Sequence, residues 1–250
     1  MSAPAYVPAL VLATSVVMIG LTLFGLSRAL VRAAWPVPTR VWVLRTAAVL
    51  LIGWFAVALA LALVGGYEGV RDRPPTIQFG ILTPLVVAAL LIWRSDTVAR
   101  IIDAVPQQWL IGVQVTRALG GIFFPLYVAG LMPGLFAIPA GVGDLATAVL
   151  APIAAYAAAR DPRGSAGTVL AWNVLGIADF VVAIATGVVT APSPLQVAAF
   201  DTPNTLMAAF PLVLIPVYLV PLWTILHIAS LVKLRRAAVQ TGHGAIPEHA

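Results

Sequence analysis

Seven long apolar stretches joined by short polar connections leave this chain few ways to fold. A helix needs roughly 20 such residues to cross about 30 Å of hydrocarbon, and a lipid-embedded segment must pair its own backbone N–H and C=O groups. The stretches are Pro8–Leu26, Thr46–Val64, Ile77–Trp93, Gln107–Leu131, Ile138–Ala159, Gly167–Ala191 and Leu206–Val232. They predict an all-α membrane protein, a single bundle of seven transmembrane helices over residues 1–232, followed by a basic and then flexible tail over 233–250. Composition agrees, with 61% of the 250 residues hydrophobic and 9% charged, where a soluble domain carries roughly 25% charged residues. The gaps are too short for a soluble domain. No internal repeat is visible, which weighs against the inverted-repeat architecture common among secondary transporters. No Lys or Arg precedes the first stretch and it leads into Arg28 and Arg32, so it is expected to stay as a span, not to be cleaved as a signal peptide.

Basic residues set the expected orientation. With the N-terminus outside, the inner side holds Arg28, Arg32, Arg40, Arg45, Arg94, Arg100, Arg160, Arg163, Lys233, Arg235 and Arg236, and the outer loops hold Arg71 and Arg73. That imbalance is a strong positive-inside signal and places the C-terminus inside. Six tryptophans, Trp35, Trp42, Trp93, Trp109, Trp172 and Trp223, map to the inner half, while Tyr6, Tyr67 and Tyr127 map to the outer boundary; Trp54 breaks the pattern. The net charge of +5 is dispersed over short loops and the tail, so its expected partner is the lipid bilayer, with Lys233, Arg235 and Arg236 near anionic headgroups, and no nucleic acid. Residues 95–105, with Asp96, Arg100 and Asp103 among Ile101, Ile102 and Val105, read as a short amphipathic helix on the inner surface.

Polar residues inside the apolar runs mark the candidate site. Arg117 lies about ten residues into the fourth run, where a charged side chain costs at least ~2.5–3.5 kcal/mol, so it needs an internal partner. Gln114, three residues earlier, shares its helix face, and Gly112, Thr116 and Gly120 form a stripe that allows close helix packing. Asp179 sits at the midpoint of the sixth run, at about the same distance from the inner boundary as Arg117, and the two are expected to pair. Asn173 is expected to hydrogen-bond between helices, and His227 to face other helices from the last run. Asp144 follows a segment, Pro133–Asp144, with two prolines and three glycines at its 133, 139, 134, 141 and 143 positions. That segment reads as a tight outer loop or a re-entrant piece, with Asp144 either capping the fifth helix or standing on the wall of a cavity. Pro211, Pro216 and Pro221 each remove a helix hydrogen bond and free the carbonyls of Met207, Leu212 and Val217, which predicts a bent seventh helix.

Several chemistries are excluded or weakened. The absence of cysteine removes disulfides, thiolate catalysis, iron–sulfur clusters and cysteine zinc sites. With His243 and His249 in the tail, bis-histidine haem within one chain is disfavoured and a single axial ligand stays open; no metal site is assigned, and the sequence names no cofactor. A retinal Schiff base would need a lysine inside the bundle, and the sole lysine, Lys233, lies at the inner end of the last run. Gly141–Asp144 matches the GxGD string of intramembrane aspartyl proteases, but the fourth run offers no first aspartate, and Asp179 comes later instead.

Phe136–Asp144, Trp172–Asp179 and Phe210–Pro216 continuing through Leu226, His227, Ser230 and Leu231, together with Arg117–Gly120, resemble stretches of a group of uncharacterised bacterial multi-span integral membrane proteins. The resemblance covers Gln107 to Leu231, brings no activity, and implies a bacterial cytoplasmic membrane source with a functional half in the fourth to seventh spans. The expected function is movement or sensing of a small solute, ion or proton at Arg117, Asp179, Asn173 and His227, with Asp144 and Gln114 as further candidates. An intramembrane enzyme for a lipid-soluble substrate, with His227 or Asp179 as base and Arg117 holding an anion, is the second reading. A structural or assembly subunit is the third, and the oligomeric state is not specified by the letters.

Overall fold

The computed structural model describes residues 3–69 and 76–243, and its regular structure is helical. Arg71 and Arg73, on which part of the charge asymmetry rests, lie outside the described residues, as does the tail beyond His243 with His249. Seven helices are long and apolar enough to cross a membrane, at Tyr6–Arg32, Val37–Leu63, Ile77–Arg94, Gln107–Val128, Gly134–Arg160, Ala166–Thr190 and Ile215–Val239. In chain order the α-helices are α1 (Tyr6–Arg32), α2 (Val37–Leu63), α3 (Ile77–Arg94), α4 (Asp96–Ala104), α5 (Gln107–Gly112), α6 (Phe123–Val128), α7 (Gly134–Arg160), α8 (Ala166–Thr190) and α9 (Val220–His243). A 3₁₀ stretch, Val113–Ile122, joins α5 to α6, and a π-helical turn, Ile215–Leu219, leads into α9.

Helices α1 and α2 outrun their apolar cores. Helix α1 ends on Arg32, and α2 begins directly after Pro36 with Pro38 in its first turn, where a missing N–H costs nothing. The amphipathic segment forms α4. Ser95 caps it by accepting the Val98 N–H at 3.3 Å, and Asp96 sits in the first turn, where the helix dipole favours a negative charge. Two of the basic residues hold α4 to α9: Lys233 Nζ donates to the Asp103 carbonyl at 2.6 Å, and Arg236 donates to the Asp103 carboxylate at 3.1 Å. Helix α9 also runs on to His243, because Leu234, Ala237, Ala238, Val239 and Gln240 interpose no Gly or Pro before Gly242.

Two segments differ from expectation. Pro133–Asp144 is neither loop nor re-entrant piece: Pro133 is the N-cap of one unbroken 27-residue helix, α7, with Pro139 and Pro152 inside it. Asp144 is therefore an interior residue facing α8 and the fourth span, not a cap. Its glycines serve packing, since a side chain at Gly141 would come within 2.9 Å of the Phe124 ring. The fourth span is helical throughout but overwound at its centre, which aligns residues three apart more closely than an α-helix does.

The seventh span breaks where the prolines require it. Leu206–Ala208 forms a 3₁₀ turn, the Phe210–Pro211 peptide is cis, and the π-helical turn spans Pro216. Of the freed carbonyls, Leu212 O accepts the Ile215 N–H at 2.9 Å, and Val217 O accepts the Trp54 indole N–H at 3.2 Å. The main core surrounds this broken segment, where Leu212, Leu214, Tyr218 and Trp223 are buried against Phe123, Phe136 and Phe180. Helix α7 packs along both α8 and the 3₁₀ stretch, and that packing positions the polar residues.

Candidate functional site

Arg117 is completely buried at the meeting point of the fourth span, α7, α8 and α9. Its Nε donates to Asp144 Oδ1 at 2.9 Å, and Nη2 donates to Asp179 Oδ2. Nη1 donates to the Gly176 carbonyl at 3.1 Å and lies 3.1 Å from His227 Nε2. The guanidinium carbon stands 3.8 Å from the centre of the Phe180 ring, whose face attracts a cation. Arg117 and Asp179 meet as expected, but Asp144 is a second carboxylate at the same level, so the expected pair is a trio. Sequence depth does not give this, because the glycines and prolines of Pro133–Asp144 leave Asp144 either as a cap or on a cavity wall, whereas the helix begins ten residues earlier at Gly134 and puts it on the wall.

The contact with Arg117 determines the state of His227. A guanidinium N–H can only donate, so His227 Nε2 must accept with its lone pair, which leaves the ring proton on Nδ1. Nδ1 lies 2.9 Å from Asn173 Oδ1, an acceptor suited to that proton. The Asn173 amide then donates to the Val169 carbonyl and to Ser230 Oγ, each at 2.8 Å. Ser230 Oγ also accepts from Gln107 Nε2 at 2.6 Å. A continuous polar chain thus runs from the carboxylates through Arg117, His227, Asn173 and Ser230 to Gln107, the first residue of the fourth span. His227 within it is neutral, and a second ring proton would face a guanidinium, so this arrangement does not suit His227 as a general base.

Close backbone approach makes the trio possible. A methyl group at Gly176 would lie 2.5 Å from the His227 ring and 2.9 Å from Arg117 Nη1, so only glycine lets α8 bring its carbonyl to the guanidinium. Gly120 and Gly143 likewise press against the carboxylates of Asp144 and Asp179. Of the stripe Gly112, Thr116 and Gly120, only the Gly120 end packs closely; a side chain at Gly112 would meet nothing within 4 Å. Gln114, the remaining candidate, is buried and donates to the Trp223 carbonyl at 3.0 Å, with no hydrogen bond to the trio among the described residues.

Asp144 and Asp179 also line a cavity of about 460 Å³ whose other walls include Phe123, Phe136, Phe180, Ile81 and Ile184. Its far end is formed by the connections after α2 and α8, including Tyr67, Ser193 and Asn204. Sequence reading missed Asn204, which lies in an irregular connection with no periodicity to signal burial, and missed Gln107 and Ser230, which resemble ordinary boundary residues. Among the described residues no group of three or more His, Asp or Glu side chains is placed to hold a metal ion. The aspartyl-protease resemblance ends at the guanidinium: Asp144 and Asp179 converge, but each gives an oxygen to Arg117.

Residues 74–235 match a family described as a domain of unknown function, DUF8737. The chain belongs to this family. The match begins before α3 and so reaches beyond the stretch from Gln107 to Leu231 on which the sequence resemblance rested. No curated protein and no solved structure matches the chain.

Proposed function

We propose that this is a multi-pass protein of a bacterial cytoplasmic membrane, N-terminus outside, that moves or senses a small solute with an apolar body and a cationic head. The supporting observation is a charge imbalance on a cavity wall. One guanidinium and a neutral histidine face two carboxylates, so with both ionised the cluster carries a formal charge of −1 on the wall of a cavity whose other charged lining residue is the exposed Glu68 beyond α2. A buried excess charge is costly, and a cationic group or a proton entering from the cavity relieves it. Arg117 has four of its five N–H directions committed to protein acceptors, so it is poorly placed to receive an anionic ligand. Its role in this reading is to hold the two carboxylates in place while their remaining oxygens serve the solute.

Binding is tested on the purified full chain in nanodiscs with alkylamines, matched alcohols and matched carboxylates, read as shifts in melting temperature. Amines are expected to stabilise, and Asp179→Asn to remove most of the shift. Stabilisation by the carboxylates, with none by the amines, would refute the reading. Orientation is tested separately: single cysteines at Ala3, Gly69 and Pro203 should react with an impermeant thiol reagent on intact cells, and one at Gly244 should not. Labelling at Gly244 without labelling at Ala3 would reverse the topology.

A further inference from the structure

Asn204 is the polar residue of the cavity that no fold requirement explains. Its side chain is 1% exposed, yet among the described residues neither Oδ1 nor Nδ2 has a hydrogen-bond partner. Buried amides are normally satisfied, because desolvating one without a partner costs free energy that folding does not return. The backbone is already pinned: the Asn204 N–H donates to the Thr190 carbonyl at 2.9 Å, at the last residue of α8. The side chain is thus held at the end of α8 and forms part of the same cavity wall as Asp179.

That attachment also gives the cavity a length scale. Asp179 precedes Thr190 by eleven residues on one uninterrupted helix, about 16 Å at 1.5 Å per residue. Between the two levels the wall is made by Ala183, Ile184, Gly187 and Phe136, which offer no side-chain hydrogen bonds.

We propose that Asn204 is a second recognition point for the cavity's ligand and reads an uncharged hydrogen-bonding group, such as a hydroxyl or an amide, at the end of an elongated apolar body. This rests on the reading above for the other end of the ligand, where Asp144 and Asp179 take the cationic head. An amide offers both a donor and an acceptor, so Asn204 suits a group that does both and discriminates against a bare alkyl terminus.

The test uses the full chain in nanodiscs with three probes of equal chain length: decylamine, its ω-hydroxy counterpart and the corresponding diol. The wild type is expected to bind the amino alcohol about five- to tenfold more tightly than decylamine, the ratio that one hydrogen bond supplies. Asn204→Ala should abolish that ratio. Asn204→Ser, which keeps a hydroxyl, serves as the second variant and should restore part of the ratio. Equal binding of decylamine and the amino alcohol by the wild type, or a ratio that survives Asn204→Ala, overturns the role of Asn204 while leaving the carboxylate reading intact. If instead the amines bind no better than the diol but Asn204→Ala weakens the diol, the carboxylate reading fails and Asn204 stands.

Discussion

Helices α1 and α8 bury the same share of their most apolar windows, 33% each, yet they do opposite work. The buried face of α1 is Val7, Val11, Met18, Ala29 and Leu30, and its buried Ser15 is satisfied by the Val11 carbonyl one turn back on the same helix. The buried face of α8 carries Asn173 and Asp179, each of which bonds across to another helix. The extent of burial therefore does not mark the site, and neither does a single bond between helices, since buried Met18 of α1 accepts from Thr116 at 3.0 Å; charged and amide side chains linked across several helices do. The rest of each half extends the contrast, with 11% and 6% buried in α2 and α3 against 56%, 44% and 56% in the fourth, fifth and seventh spans. The family match adds a qualification, because it includes α3, the least buried span, along with the polar half. Lying within the matched region and taking part in the polar cluster are thus separate properties.

The sharpest way to break the comparison is to remove the charge that organises the polar half. Arg117→Gln leaves two carboxylates facing each other without a cation and should cost about 3–5 kcal/mol, read by melting in detergent. Adding Asp144→Asn and Asp179→Asn together should recover part of that loss, and adding Asp179→Asn alone should recover less. Additive losses throughout would mean that the trio does not act as a unit.

Gly176→Ala should follow, at about 1–3 kcal/mol, because the new methyl forces His227 or Arg117 from its place. Its diagnostic is a weaker response to any further Arg117 substitution in a double-mutant cycle. Independent effects would show that the close approach of α8 is packing alone.

A smaller loss, about 1 kcal/mol, is expected for Ser230→Ala, which removes the acceptor shared by Asn173 and Gln107. An unchanged melting temperature would disconnect the Gln107 end of the polar chain from the trio. The smallest effects belong to the other half: Val49→Ala and Val57→Ala, at 71% and 60% exposure on α2, should each change stability by less than about 0.5 kcal/mol. A loss comparable to that of Gly176→Ala would show that the outward face of α2 is covered by a partner.

Much of the bundle was legible because span length is a local property. Each apolar run reports its own helix, and Ser95 followed by Asp96 reports the start of α4 without reference to any neighbour. The prolines of the seventh span announced a bend for the same reason, since each one removes a particular hydrogen bond, but not that the long helix starts only at Ile215. Pro133–Asp144 misled because glycine and proline carry two meanings. In an isolated segment they break helices, but here Pro133 begins one and Gly141 and Gly143 make room for Phe124 and Asp179.

The sequence by itself determined seven apolar helices, an arginine inside an apolar run that demanded a partner, and Asp179 at a matching position along its own run to answer it. Only the tertiary structure decided that Asp144 completes the trio, that Gln114 does not join it, that His227 is held neutral, and that Asn204 closes the far end of the cavity with its amide unspent. The physical reason is that burial and depth are one-dimensional properties of a helix, whereas hydrogen-bond partnership depends on the rotation and spacing of several helices at once. Those were set by the overwinding at Val113–Ile122 and by the glycine contacts of α7 and α8.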